Sequence, residues 1–105
     1  MYSLDLNGRQ LAHLRGLGQR LEPTLKVGKG GLTPAFFTEL QRLLRARELV
    51  KMRFLGSDRK ERAALCAQIA DEGRCIFIAG VGHTALFYRP NPDESARQVI
   101  LPEAS

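Results

Sequence analysis

The sequence holds no tryptophan, and its five phenylalanines and two tyrosines make only seven aromatic residues. So few rings exclude a surface built mainly on aromatic platforms for stacked bases. The two cysteines, Cys66 and Cys75, have eight residues between them and form neither a CxxC redox pair nor a zinc knuckle. Two reduced thiols in a core are expected. No apolar run approaches the ~18 residues that a membrane helix needs. The opening Met1-Tyr2-Ser3-Leu4-Asp5 lacks a basic segment followed by an apolar one. A cytoplasmic protein with no membrane partner is therefore expected. The two histidines, His13 and His83, have no evident carboxylate or serine partners, and neither HExxH nor GxSxG occurs. Asp71 and Glu72 are neighbours on a predicted helix, so their side chains diverge. No enzymatic activity, cofactor or metal is expected.

What is present fits one small domain. The 105 residues are 44% hydrophobic and 26% charged, as in ordinary globular proteins. The net charge of +5 is unevenly placed. Residues 1–55 carry ten Lys/Arg against four Asp/Glu, and residues 56–105 carry six against seven. A chain with one basic half suits a polyanionic partner, although a solvated basic surface accounts for the same numbers.

Leu11, Leu14, Leu17 and Leu21 recur at helical spacing behind Asn7, which predicts a helix over about residues 7–20. Gly16 and Gly18 weaken its last turn. Pro23 starts an extended segment, Thr24 to Val27. Thr33-Pro34 starts a second helix that runs to about Arg47. Val50, Met52 and Phe54 alternate with Lys51 and Arg53, which predicts a strand with one polar face. Ser57 or Asp58 caps a third helix, where Asp58 with Glu61 fits a capping box, and Gly73 stops it. Cys75–Ala79 and Thr84–Arg89 form a hairpin around the loop Gly80-Val81-Gly82-His83. The order α-β-α-β-α-β-β predicts an α/β fold (α+β, two-layer) with helices on a mixed four-stranded sheet. Residues 1–90 are the domain. Residues 91–105 form a loosely held tail, with a short edge strand at 99–101.

The turn Gly28-Lys29-Gly30-Gly31 is the most informative stretch. It joins a strand to a helix start, where free N–H groups and the dipole favour an anion, and Lys29 adds a full charge. The spacing is neither a Walker A loop nor a dinucleotide fingerprint. It is GxxG, the short loop that clamps nucleic-acid backbone in KH-type modules, although a tight turn alone also explains the glycines. Arg9, His13, Gly16 and Arg20 form a stripe on the first helix, and Lys51 and Arg53 share a strand face. Either set tracks a phosphate chain or keeps the surface solvated.

These residues resemble a known family. Leu25-Lys26-Val27-Gly28-Lys29-Gly30-Gly31-Leu32-Thr33, Glu48-Leu49-Val50-Lys51-Met52-Arg53 and Gly82-His83-Thr84-Ala85-Leu86-Phe87-Tyr88-Arg89-Pro90 are similar to the signature blocks of the CRM domain in its YhbY-type form. The likeness spans about residues 4–90. It implies an RNA-binding protein that associates with precursors of the large ribosomal subunit. It also implies a fold similar to the C-terminal domain of bacterial translation initiation factor three. The resemblance assigns RNA contacts to Gly28, Lys29, Gly30 and Gly31, with neighbouring basic residues in support. Where the family usually has a basic residue after the glycine of the last block, this chain has His83, a partial cation at neutral pH. The expected RNA-binding set is thus Gly28, Lys29, Gly30, Gly31, Arg9, His13, Arg20, Lys51, Arg53 and His83, on a monomer. The competing reading is an adaptor whose basic face meets an acidic protein.

Overall fold

The computed structural model of the chain describes residues 1–103, so the last two residues of the expected tail lie outside it. Helix α1 spans Gly8–Gln19. Asn7 starts it through a reciprocal capping box: its side chain accepts from the Gln10 N–H at 2.8 Å, and the Gln10 side-chain oxygen Oε1 accepts from the Asn7 N–H at 3.1 Å. Strand β1 (Leu25–Val27) leads to α2 (Pro34–Arg47), where the Thr33 hydroxyl accepts from the Phe36 N–H at 3.1 Å. Strand β2 (Leu49–Phe54) leads to α3 (Arg59–Gly73), capped by Asp58, whose carboxylate accepts from the Glu61 N–H at 2.8 Å. The hairpin of β3 (Ile76–Val81) and β4 (Thr84–Tyr88) closes the domain, followed by a single 3-10 turn at Glu94–Ala96.

The sheet order is β1-β2-β4-β3, with β1 parallel to β2 and the other pairs antiparallel. The α+β class, the element order and the mixed four-stranded sheet are as expected. The layering is not, because helices cover both faces. Val50, Met52 and Phe54 pack with Val27, Leu40, Ile69 and Phe87 under α2 and α3. Leu49 lies on the opposite face with Leu86 and Tyr88, and there α1 covers them through Leu14. Burying Leu14 alone stabilises by about 2 kcal/mol. The polar Lys51 and Arg53 made this face look solvated, yet Leu49 and the apolar residues of β4 require a cover. Gly18 does not weaken α1 so much as let it approach the sheet: a Cβ there would stand 2.5 Å from a Leu86 methyl.

Two further expectations are corrected. The hairpin turns on two residues, Gly82-His83, and not on four. Gly82 has φ +58° while His83 stays at negative φ, the pattern of a type II′ turn, which suits strand twist. The segment 99–101 forms no strand, and the tail is not loosely held over its described residues, 91–103. Val99 and Leu101 pack against the α1-side core, and Glu48 fastens the chain before them. Glu48 caps α2 at φ +65° and is almost fully buried. Its carboxylate accepts from the N–H groups of Asn91 (2.6 Å), Gln98 (2.6 Å) and Val99 (2.8 Å). A buried anion is tolerated because charge-assisted hydrogen bonds replace its water. Among the described residues no helix is long and apolar enough to cross a membrane.

Candidate functional site

The parallel pairing of β1 and β2 brings the ends of both strands, and the loops after them, to one edge of the molecule. There the Leu55 N–H donates to the Val27 carbonyl at 2.9 Å, and the Phe54 N–H to the His83 carbonyl at 2.7 Å. The GxxG loop, the loop around Gly56 and the hairpin turn are therefore neighbours. Within the first, the Gly31 N–H donates to the Gly28 carbonyl at 3.0 Å, and Gly31 sits at φ +78°, where a side chain would be strained. Gly28 and Gly30 need no such freedom, and a Cβ at either would meet nothing within 4 Å. Their backbone faces open space. The Lys29 side chain lies across Gly56, where an added Cβ would stand 3.0 Å from Lys29 Cε.

Two helices begin at this edge, and they differ. The α3 start is occupied by the Asp58 carboxylate, and its hydrogen bond from the Glu61 N–H holds it below the usual carboxylate range. The α2 start is capped by the neutral Thr33 and has no acidic residue in its first turn. Its partial positive charge is left for an external anion.

On the sheet face beside the loop, Lys26, Arg53, Thr84 and Val81 stand in register across all four strands. Both cations are exposed. Lys26 and Arg53 are thus like charges on adjacent strands, about 5 Å apart at the backbone. The ion pairs among the described residues are Arg42–Glu39 and Arg97–Glu94, so Lys26, Lys29 and Arg53 have no carboxylate partner there. His83 Nδ1 lies 3.2 Å from an Arg62 nitrogen, which also donates to the Ser57 carbonyl at 2.8 Å. Arginine can only donate, so Nδ1 accepts and Nε2 carries the ring proton. Ser57 Oγ is buried beside this contact without a hydrogen-bond partner among the described residues.

The expected residues do not all meet. Gly28, Lys29, Gly30, Gly31, Arg53 and His83 gather at the loop edge. Lys51 is half-buried under α1, and its ammonium donates to the Gly18 carbonyl at 3.1 Å. His13 and Arg20 line a groove with Arg47, Leu49 and Val99 at the start of β2, about 17 Å of strand from the loop. Arg9 is exposed near the first turn of α1, outside that groove. On the other flank of α1, Arg15 and Gln19 border a smaller hollow with Thr84 and Val81. Sequence reasoning missed Lys26 and Arg15. Lys26 was detectable, since it alternates with the apolar Leu25 and Val27. Among the described residues no cluster of His, Cys, Asp or Glu is placed to hold a metal.

Comparison with known proteins supplies the family. The chain is 33% identical over 89 residues to a Pseudomonas aeruginosa protein named a probable RNA-binding protein, covering 85% of this chain and 86% of that one. It is 30% identical to a Haemophilus influenzae protein named RNA-binding protein, over 84% of this chain and 89% of that one. A Bacillus subtilis protein named a probable RNA-binding protein is 27% identical, over 92% and 99% of the two chains. The solution structure of a Staphylococcus aureus protein shares the fold, with a TM-score of 0.79 at 24% identity, over 93% of this chain and all of that one. The model of the CRS1/YhbY (CRM) domain matches residues 6–89, and the chain belongs to that family.

Proposed function

We propose that this protein binds structured RNA through its phosphates at the loop edge, and that the RNA belongs to a precursor of the large ribosomal subunit. The observation that carries the reading is the pair Gly28 and Gly30. Neither has a positive φ or a neighbour that forbids a side chain, so the fold itself does not require glycine at either. Close approach of a ligand to the backbone does require it. Lys29, the α2 start and the Lys26–Arg53 row supply the charge that makes this ligand an anion, and the row extends it into a chain of phosphates. The names of the three relatives support RNA as that chain. The ribosomal precursor is supported by the family resemblance of the sequence blocks. The protein acts by binding, without catalysis.

A gel-shift with structured RNA at two salt concentrations tests the reading. Log affinity should fall with log salt by about 0.7–0.9 for each phosphate neutralised. Co-sedimentation with large-subunit precursors from lysate tests the ribosomal part. Salt-insensitive RNA binding would overturn the phosphate mechanism, and absence from the precursor fractions would overturn the assignment of the RNA.

A further inference from the structure

On the face of the sheet away from α1, α3 and the β3–β4 hairpin stand apart around a cleft of about 760 Å³. The cleft exists for two reasons. The face that α3 turns to the hairpin carries alanines, Ala63 and Ala67, beyond Arg59 and Arg62 at its start. Opposite, the floor is Gly80, which has no side chain. A bulge sets the rest. Phe77 pairs with Phe87 and Ala79 with Leu86, so Ile78 is an extra residue, and Phe77 and Gly80 come to the same face.

Phe77 is the one aromatic among the large exposed apolar side chains of the described residues, at 42% exposure. Its ring is held from beneath by Phe87, with centroids 5.6 Å apart at 62°. Its tip lies 3.5 Å from where a Cβ of Gly80 would stand. It is a ring fixed in place with one side free, inside a space of the size that small ligands fill. At the mouth, Arg59 has no ion-pair partner among the described residues. Arg62 is oriented by Ser57 and His83 through one nitrogen, which leaves its other donors. The His83 contact also makes the cleft continuous with the loop edge.

We propose that the cleft takes one unpaired nucleotide of the bound RNA, with its base against Phe77 and its phosphate on Arg59 and Arg62. The inference rests on the RNA-binding reading above. A planar ring beside two guanidinium groups is complementary to a base joined to a phosphate. The nucleotide is unpaired because a base stacked within a duplex cannot reach a ring set inside a cleft.

The test uses the full chain and an RNA stem-loop with 2-aminopurine in its loop, against a fully paired duplex of the same length. Binding should quench the 2-aminopurine, and the stem-loop should bind about tenfold tighter than the duplex. Phe77→Leu keeps an apolar side chain on Phe87 and should remove that preference. Gly80→Val, which suits a strand and fills the floor, should do the same while the protein still melts cooperatively. Binding without quenching, or variants that keep the preference, would overturn the cleft and leave the loop reading intact. Equal quenching of the free nucleotide would overturn a chain-borne occupant. If neither RNA binds, both readings fall.

Discussion

The two ends of the sheet use charge in opposite ways. At the Leu49–Tyr88 end, Glu48 is buried and spends its carboxylate on three backbone N–H groups of the tail. At the loop end, Lys26, Lys29 and Arg53 are exposed and have no carboxylate partner among the described residues. One anion is consumed inside the fold, and a group of cations is left for something outside it. A charge that the structure has satisfied holds the structure together. A charge that it leaves unsatisfied beside open backbone stays free to meet an external anion, the role proposed above for the loop edge.

The sharpest way to break this contrast is to reverse the loop. Gly30→Asp with Gly31→Asp puts two negative charges where a phosphate is expected. A like-charge contact at ~4 Å in an effective dielectric of ~20 costs about 4 kcal/mol, on the order of a thousandfold in affinity. Asp tolerates the positive φ of Gly31 better than most residues and suits a helix start, so the variant should stay folded. A gel-shift beside a thermal melt measures both. A folded variant that binds as well as wild type would return the loop to a plain turn.

Glu48→Ala should do the reverse. It leaves three N–H groups without their acceptor, and partial release of the tail into water relieves some of that loss. Urea denaturation should show a destabilisation of about 3 kcal/mol, with Glu48→Gln costing less because one acceptor oxygen remains. The RNA affinity of the folded protein should not move. Reduced affinity at full occupancy of the fold would show that the two ends are linked.

Charge reversal on the sheet sharpens the comparison further. Lys26→Glu with Arg53→Glu should weaken RNA binding about tenfold or more and lower the salt slope by about two contacts. Arg9→Glu with Arg20→Glu, changes on α1 outside the loop edge, should have a smaller effect. If the second pair proves the more damaging, the RNA path runs along α1 and not over the open row.

The smallest effect concerns alkaline pH at the Glu48 end. Burial pushes the Cys75 thiol up to about 12, and burial and then Glu48 push the Tyr88 hydroxyl up to about 12. Both groups are held protonated in the fold while the unfolded chain ionises at its ordinary, lower values. Their contribution is complete below pH ~8.5 and is lost as the pH rises towards 12. Melting temperature should fall steadily across that window. Cys66, pushed up to about 11 by burial, acts in the same direction. A flat profile from pH 8.5 to 11 would show that these groups titrate normally in the fold.

Much of this architecture was legible because it is written in local chemistry. Asn7, Thr33-Pro34 and Asp58 announced the three helices, and Val50, Met52 and Phe54 announced the sheet face under α2 and α3. The GxxG turn and the signature blocks located the loop edge. What stayed hidden depends on contacts between distant parts of the chain. Glu48 lies between Arg47 and Leu49 and reads as a surface residue, and only the returning tail makes it a core one. Lys51 matches Arg53 in type and spacing, but Gly18 of α1 claims its ammonium. The bulge at Ile78 shifts the parity of β3, and nothing in its neighbours announces it. Lys26 and Arg53 become a pair only once β1 and β2 are known to run parallel.

The Glu48 clasp also imposes an order in time. The carboxylate is synthesised some fifty residues before Gln98 and Val99, the last of its donors. At about 5–20 residues per second, translation leaves it waiting for several seconds. Through that interval α2 and β2 can form, but the anion at their junction must stay hydrated, because burying it unpartnered is prohibitive. The α1-side core therefore closes late, when the tail arrives with its N–H groups and packs Val99 and Leu101 against the cluster that holds Leu14 and Tyr88.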